Sequence, residues 1–91
     1  MKGNGVIKAA KMLKAAANEK RLSILLLIKE QEMSVGQIEE MVDLSQSALS
    51  QHLAILRTEN VVKTRRKAQT IFYTLKDERL KKMLDLLEEL F

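Results

Sequence analysis

Apolar residues recur along this chain with two different periods, and the switch between them divides the sequence. From Val6 to Ala17, the residues Val6, Ala10, Leu13 and Ala17 return at helical spacing with Lys8, Lys11 and Lys14 between them, which predicts an amphipathic first helix. Asn18 offers an N-cap, because its side-chain oxygen can accept from a free backbone N–H of the following turn. The second helix, Glu19 to about Glu30, carries Leu22 and the run Ile24 to Ile28, apolar on nearly every side, and so belongs at the centre of the core. Ser34 caps a shorter third helix, Val35 to Val42. Its Val35, Ile38 and either Met41 or Val42 face inward, while Gln37, Glu39 and Glu40 face out. Asp43 and Leu44 form a tight connection, and Ser45 caps a helix from Gln46 to about Glu59 whose buried stripe is Ala48, Leu49, Leu53 and Leu56. At Val61 the character changes: residues 61 to 66 and 70 to 75 are rich in β-branched and aromatic types, which predicts a hairpin. Its turn, Lys67-Ala68-Gln69, lacks the Gly or Asn that short turns favour. Asp77 caps a last helix, Glu78 to Leu90, with Leu80, Met83, Leu84, Leu87, Leu90 and Phe91 in one apolar stripe.

Two helices joined by a short turn, followed by a hairpin with a cationic arm, predict a mainly α fold with a β-hairpin wing: a winged helix-turn-helix. The reading is one domain over residues 1–91, with the helix-turn-helix at about 34–59, the wing at about 61–75, and outer helices at about 6–17 and 78–90. A core made by three helices and a hairpin has little room left for Val6, Ala10, Leu13, Leu80, Met83, Leu84, Leu87 and Leu90 together. These eight are expected to pack against a second copy, giving a twofold homodimer.

Composition narrows the possibilities. There is no cysteine, so the chain alone offers no disulfide, thiolate metal site or thiol switch. No proline and only three glycines leave few breakers and no flexible linker. The N-terminus lacks a signal-peptide pattern, and the longest apolar run, Ile24 to Ile28, is far below the roughly 20 residues needed to span a bilayer, so a cytoplasmic protein without membrane contact is expected. The net charge is +4, and it is sorted: residues 57 to 67 hold five bases against one acid, whereas 30 to 43 hold five acids and no base. Such sorting suits a surface that meets phosphates.

The exposed N-terminal positions of the fourth helix, Ser45, Gln46, Ser47, Ser50 and Gln51, are the candidate readers of base edges in double-stranded DNA. Glutamine can bond adenine in a bidentate way, which singles out Gln51, and serine hydroxyls serve a base or a phosphate. Lys63, Arg65, Arg66, Lys67 and Gln69 on the hairpin are expected beside flanking phosphates or the minor groove, where cations gain affinity by displacing counterions. His52, the only histidine, is read as a packed structural residue. No catalytic constellation is present: the serines near His52 have no acidic orienter, and there is no phosphate loop, metal motif or cofactor signature. A second reading uses the acidic third-helix surface, Glu39, Glu40 and Asp43, to dock a protein partner, with DNA affinity merely residual.

Four stretches in order, residues 13–22, 33–38, 44–53 and 69–75, resemble the ArsR/SmtB family, nearest to its HlyU-like branch; the likeness runs from about Leu13 to Leu84. The resemblance implies a prokaryotic, homodimeric winged-helix regulator. Such a regulator is usually a repressor released from an imperfect palindrome by a metal or an oxidant, although HlyU-like members can oppose another repressor. Where metal-sensing relatives carry cysteines in the third helix, this chain has Ser34 and Gly36. Where they carry Asp and His on the last helix, it has Asp77 but then Arg79 and Leu90. The expectation is therefore a DNA-binding regulator without a metal or thiol sensor, whose effector, if any, is of another kind.

Overall fold

The computed structural model describes all 91 residues, which form α1 (Gly3–Ala16), α2 (Glu19–Ile28), β1 (Met33–Ser34), α3 (Val35–Met41), α4 (Gln46–Thr58), β2 (Val62–Lys67), β3 (Thr70–Leu75) and α5 (Glu78–Leu90). Four helices begin at the caps the sequence offers. Asn18 Oδ1 accepts from the N–H groups of Lys20 and Arg21 at 2.9 and 3.0 Å, and Ser45 Oγ accepts from Ala48 at 3.1 Å. Asp77 Oδ1 accepts from Arg79 at 2.9 Å. Ser34 and Gln37 make a reciprocal capping box: Ser34 Oγ accepts from the Gln37 N–H at 3.1 Å, and Gln37 Oε1 accepts from the Ser34 N–H at 2.9 Å. Helix α1 has no side-chain cap and begins at Gly3, three residues before the expected start.

The end of α4 is equally well defined. The Asn60 N–H donates to the Arg57 carbonyl at 3.0 Å and the Val61 N–H to the Leu56 carbonyl at 3.3 Å, the pair of bonds that closes a helix on a left-handed residue. Asn60 supplies that residue, with φ 59°, and the chain leaves it directly into the sheet.

Helix α2 lies at the centre of the core, as its apolar run predicts. Ile24, Leu25 and Ile28 are buried, and Leu22, Leu26 and Leu27 are half-buried around them. Ile38, Leu49, Leu53, Leu56, Val61, Val62, Tyr73, Leu80 and Leu84 close over this centre from the other elements. Of the two candidates at the end of α3, Val42 turns inward and Met41 is 63 % exposed.

The sheet has three antiparallel strands in the order β1-β3-β2, one more than expected. Strand β1 consists of two residues, Met33 opposite Tyr73 and Ser34 opposite Phe72, too short for any alternation to be read. In the hairpin, Lys67 pairs with Thr70, so Lys67 ends β2 instead of sitting in the turn, and Ala68 and Gln69 make the connection alone. Ala68 takes φ 56°, the left-handed conformation that a short hairpin turn requires and that glycine or asparagine usually provides.

The outer helices depart from expectation. Leu80 and Leu84, assigned to a subunit interface, are 1 % and 0 % exposed inside the chain's own core. They are one helical turn apart and join the same buried cluster as Ile24, Leu25 and Ile28, whereas Met83, Leu87 and Leu90 lie on the flank of α5. Val6, Ala10, Leu13, Leu87 and Leu90 are exposed and Met83 is half-buried. Helix α5 is further tied down by Lys29, whose side chain is 8 % exposed and whose Nζ lies 2.7 Å from Glu30, 2.6 Å from Asp85 and 2.8 Å from Glu88. Hydrogen bonds to these three carboxylates raise the Lys29 pKa, and the same contact holds the Asp85 carboxyl below the usual carboxylate range.

Leu84→Ala is expected to cost about 2–5 kcal/mol of unfolding free energy in urea titrations, from lost burial plus the cavity left behind. Met41→Ala should stay within about 0.5 kcal/mol of the parent, because that side chain gives up little water on folding.

Candidate nucleic-acid interface

The turn between α3 and α4 is closed by the Leu44 N–H donating to the Val42 carbonyl at 3.1 Å, and the Ser45 cap then starts α4. Leu49, Leu53 and Leu56 anchor one side of α4 in the core, which fixes the direction of the other. Gln46, Ser47, Ser50 and Gln51 occupy that outer side over its first turn and a half, all exposed, with exposed Ser45 just before them. The structure thus brings the five expected readers to one helix end, where unsatisfied N–H groups also favour an anionic neighbour.

The wing does not present its cations together. Side chains alternate across a strand, and cross-strand partners share a face. Val62, Thr64 and Arg66 lie with Leu75, Tyr73 and Ile71; Lys63, Arg65 and Lys67 lie with Thr74, Phe72 and Thr70. Val62 and Tyr73 are buried, so the first face is the core face, and Arg66 stands on it where the ribbon extends beyond the core.

Arg65, expected at phosphate, is already engaged. Its guanidinium donates to both carboxylate oxygens of Glu32, at 3.1 and 2.6 Å, and lies 4.6 Å from the centroid of the Phe72 ring. That hydrogen bond, helped by the charges of Arg65 and Lys63, holds the Glu32 carboxyl below its ordinary range. Lys63, Arg66 and Lys67 are exposed and in no ion pair, Lys63 close enough to Glu32 for its charge to be felt there, with exposed Gln69 in the turn. The pairing follows from register: alternation carries Arg65 over Phe72, beside the loop that ends α2.

Three linking side chains escaped the sequence reading. The Arg57 guanidinium donates to the hydroxyl of buried Tyr73, joining the last turn of α4 to β3. Lys29 clamps α5, and its only signal is a lone cation directly after an apolar run. Arg21 reaches the end of α1 and also His52, which is half-buried with Nδ1 3.3 Å from the guanidinium. Burial, and then the charge of Arg21, lowers the His52 pKa.

The positions that would hold a metal in family sensors do not fit one. Ser34 Oγ is committed to capping α3, and Gly36 has no side chain. The Asp77 carboxylate caps α5 and pairs with Arg79 at 2.7 Å, a cation standing where a ligand would be needed, and Leu90 is exposed. No group of three or more His, Cys, Asp or Glu side chains is placed to hold a metal ion.

Residues 18–64, just over half of the chain, match the family described as bacterial regulatory protein, arsR family. The chain is 52 % identical over 84 residues to the transcriptional activator HlyU of Vibrio cholerae serotype O1, covering 92 % of this chain and 78 % of that one. It is 49 % identical over 83 residues to the nodulation protein NolR of Rhizobium meliloti, covering 91 % and 68 %. The solved structure of HlyU from Vibrio cholerae N16961 superposes with a TM-score of 0.93 at 50 % identity, over 100 % of this chain and 98 % of that one. With the helix-turn-helix, the wing and these matches in agreement, the chain belongs to the ArsR family of bacterial regulatory proteins, on its HlyU-like side.

Proposed function

We propose that this protein is a sequence-specific, double-stranded-DNA-binding transcriptional regulator that acts in the cytoplasm as a homodimer and represses by occupying an imperfect palindrome. The observation that carries this reading is the end of α4, where Gln46, Ser47, Ser50 and Gln51 stand exposed on a helix locked in direction by Leu49, Leu53 and Leu56. Gln51 reads a base edge in the major groove, and Ser45, Gln46, Ser47 and Ser50 serve bases or the adjoining phosphates. Arg66, Lys67 and Gln69 at the wing tip meet the flanking backbone. Arg65 and Lys63 contribute field, and Arg65 holds the wing in place through Glu32.

Dimerisation is supported by the apolar surface left on the outer helices: Val6 and Leu13 are about half exposed at 53 and 52 %, and Leu90 is exposed at 64 %. A twofold pair built on α1 and the flank of α5 sets the two reading helices about one DNA turn, roughly 34 Å, apart. No helix is long and apolar enough to cross a membrane. The protein-docking alternative has an exposed acidic surface in Glu39, Glu40 and Asp43, but membership in a family of regulators favours the DNA reading. No cofactor, metal or catalytic step belongs to the proposal.

Selection of bound fragments from a random duplex library, at about 0.15 M salt with excess competitor to suppress phosphate-only binding, should return a palindrome with half-sites about one turn apart. Recovery of no preferred sequence from folded, dimeric protein would overturn the reading, and a promoter fusion carrying the selected site reports whether binding represses.

On that duplex, Gln51→Ala should relax discrimination at one base position in each half-site by about 1–3 kcal/mol. Arg66→Ala should weaken all sequences alike and lower the salt slope by about 1 per subunit, whereas Arg65→Ala should change the slope less, because Glu32 already neutralises that charge. Equal slopes for the two arginine variants would refute the division of the wing into two faces.

A further inference from the structure

The single histidine of the chain lies where α1, α2 and α4 converge. Arg21, on α2, is the hub. Its Nε donates to the Ala15 carbonyl at 2.7 Å and one terminal nitrogen donates to the Lys14 carbonyl at 3.3 Å, both in the last turn of α1. A cation there also meets the negative end of the α1 dipole. The other terminal nitrogen lies 3.3 Å from His52 Nδ1. A guanidinium has donors only, so Nδ1 must accept, and the imidazole is neutral with its proton on Nε2. His52 directly follows Gln51 and faces inward while Gln51 faces out.

Resting on the DNA-reading function above, we infer that Arg21 and His52 form a positioning link that sets the seating of the start of α4 against α1 and α2 only while the imidazole is neutral, so that acidification loosens that seating, with the leucine anchors still buried, and weakens DNA binding. A proton on Nδ1 removes the acceptor and places two cations face to face, and the guanidinium does not give up its own proton. The groups around the ring offer no relief. Arg21 is the charged group that α2 turns to it, and its charge adds to burial in disfavouring protonation. Helix α1 contributes the carbonyls of Lys14 and Ala15, and these bind Arg21. On α4 the other ionisable residue is Arg57, which is joined to Tyr73. No carboxylate is in position to stabilise an imidazolium.

The sign of the effect separates this link from general electrostatics. A positive charge added to a DNA-reading helix, with nothing else changed, strengthens phosphate attraction and raises affinity on acidification. Loosened seating of α4 lowers it.

The test measures affinity for the selected duplex by fluorescence anisotropy at fixed ionic strength, at about pH 7.5 and about pH 5.5, the span in which histidine is the side chain that titrates. Circular dichroism at both pH values confirms that each protein is folded. Three proteins are compared: wild type, His52→Asn and His52→Ala. The Asn side-chain oxygen is as many bonds from Cα as Nδ1 is, so it accepts from Arg21 and does not titrate. Wild type is expected to lose several-fold in affinity at the lower pH, because burial and the charge of Arg21 hold the folded-state pKa below the ordinary histidine value and the bonded form is lost as pH falls. His52→Asn should bind within about twofold of wild type at the higher pH and keep that affinity at the lower, since its acceptor is permanent. His52→Ala should bind weakly at both. Loss by His52→Asn equal to that of wild type, tighter wild-type binding at low pH, or full affinity in His52→Ala would each overturn the link while leaving the regulator reading in place. Absence of specific binding by all three at the higher pH would overturn that reading and the inference with it.

Discussion

Helix α2 has so little polar surface that the rest of the chain is arranged by the need to cover it. Its Ile24, Leu25 and Ile28 are fully enclosed, and α1, α4, β3 and α5 each lend apolar side chains to the enclosure. Burial of such side chains stabilises by roughly 1.5–3 kcal/mol apiece, which makes this closure the dominant favourable contribution to the fold. It also has a directional consequence. Because Leu49, Leu53 and Leu56 of α4 are buried in the core, the opposite side of α4 can point only outward, and the surface proposed to read DNA is the complement of the surface that packs. The exposure of Gln46, Ser47, Ser50 and Gln51 is thus a by-product of where the leucines are.

Charged side chains refine what burial lays down. Lys29 draws Asp85 and Glu88 of α5 toward the end of α2, Arg21 gathers the end of α1 and His52 of α4, and Arg57 secures Tyr73 of the sheet. In each case a long cationic side chain bridges two or more elements that the core has already brought close. Arg65 does the same for the wing through Glu32 and Phe72. The surplus of positive charge is therefore divided between cations that hold the structure and cations that stay unpaired, Arg66 and Lys67 foremost among the latter. Only the unpaired set retains its full counterion cloud to exchange for phosphate.

The sensor positions of the family follow the same logic. Residues that would be metal ligands elsewhere are given internal partners here: Ser34 to a capping box and Asp77 to Arg79. What connects the end of α1 to α4 here is Arg21 of α2, which binds the Ala15 carbonyl on one side and His52 on the other. A link of that kind needs neither a thiol nor a metal, and its state is set by a proton.

Much of this architecture is determined by local chemistry and can be read in the chain: the caps at Asn18, Ser34, Ser45 and Asp77, the helical stripes, the hairpin, and the exposed polar residues at the start of α4. Each depends on contacts within a few residues, so spacing and side-chain type suffice. The features that could not be read are those set by distant partners. Strand β1 exists only because β3 is there to pair with it, and two residues carry no period. Whether Leu80 and Leu84 close the core or meet another subunit depends on the rotation of α5 about its axis, which only tertiary packing decides. Whether Arg65 is free or engaged depends on the loop that ends α2, 33 residues away along the chain. Sequence determined which residues could be buried, capped or charged, whereas tertiary structure decided which partner each one met, because only folding brings such distant groups within a few ångströms of each other.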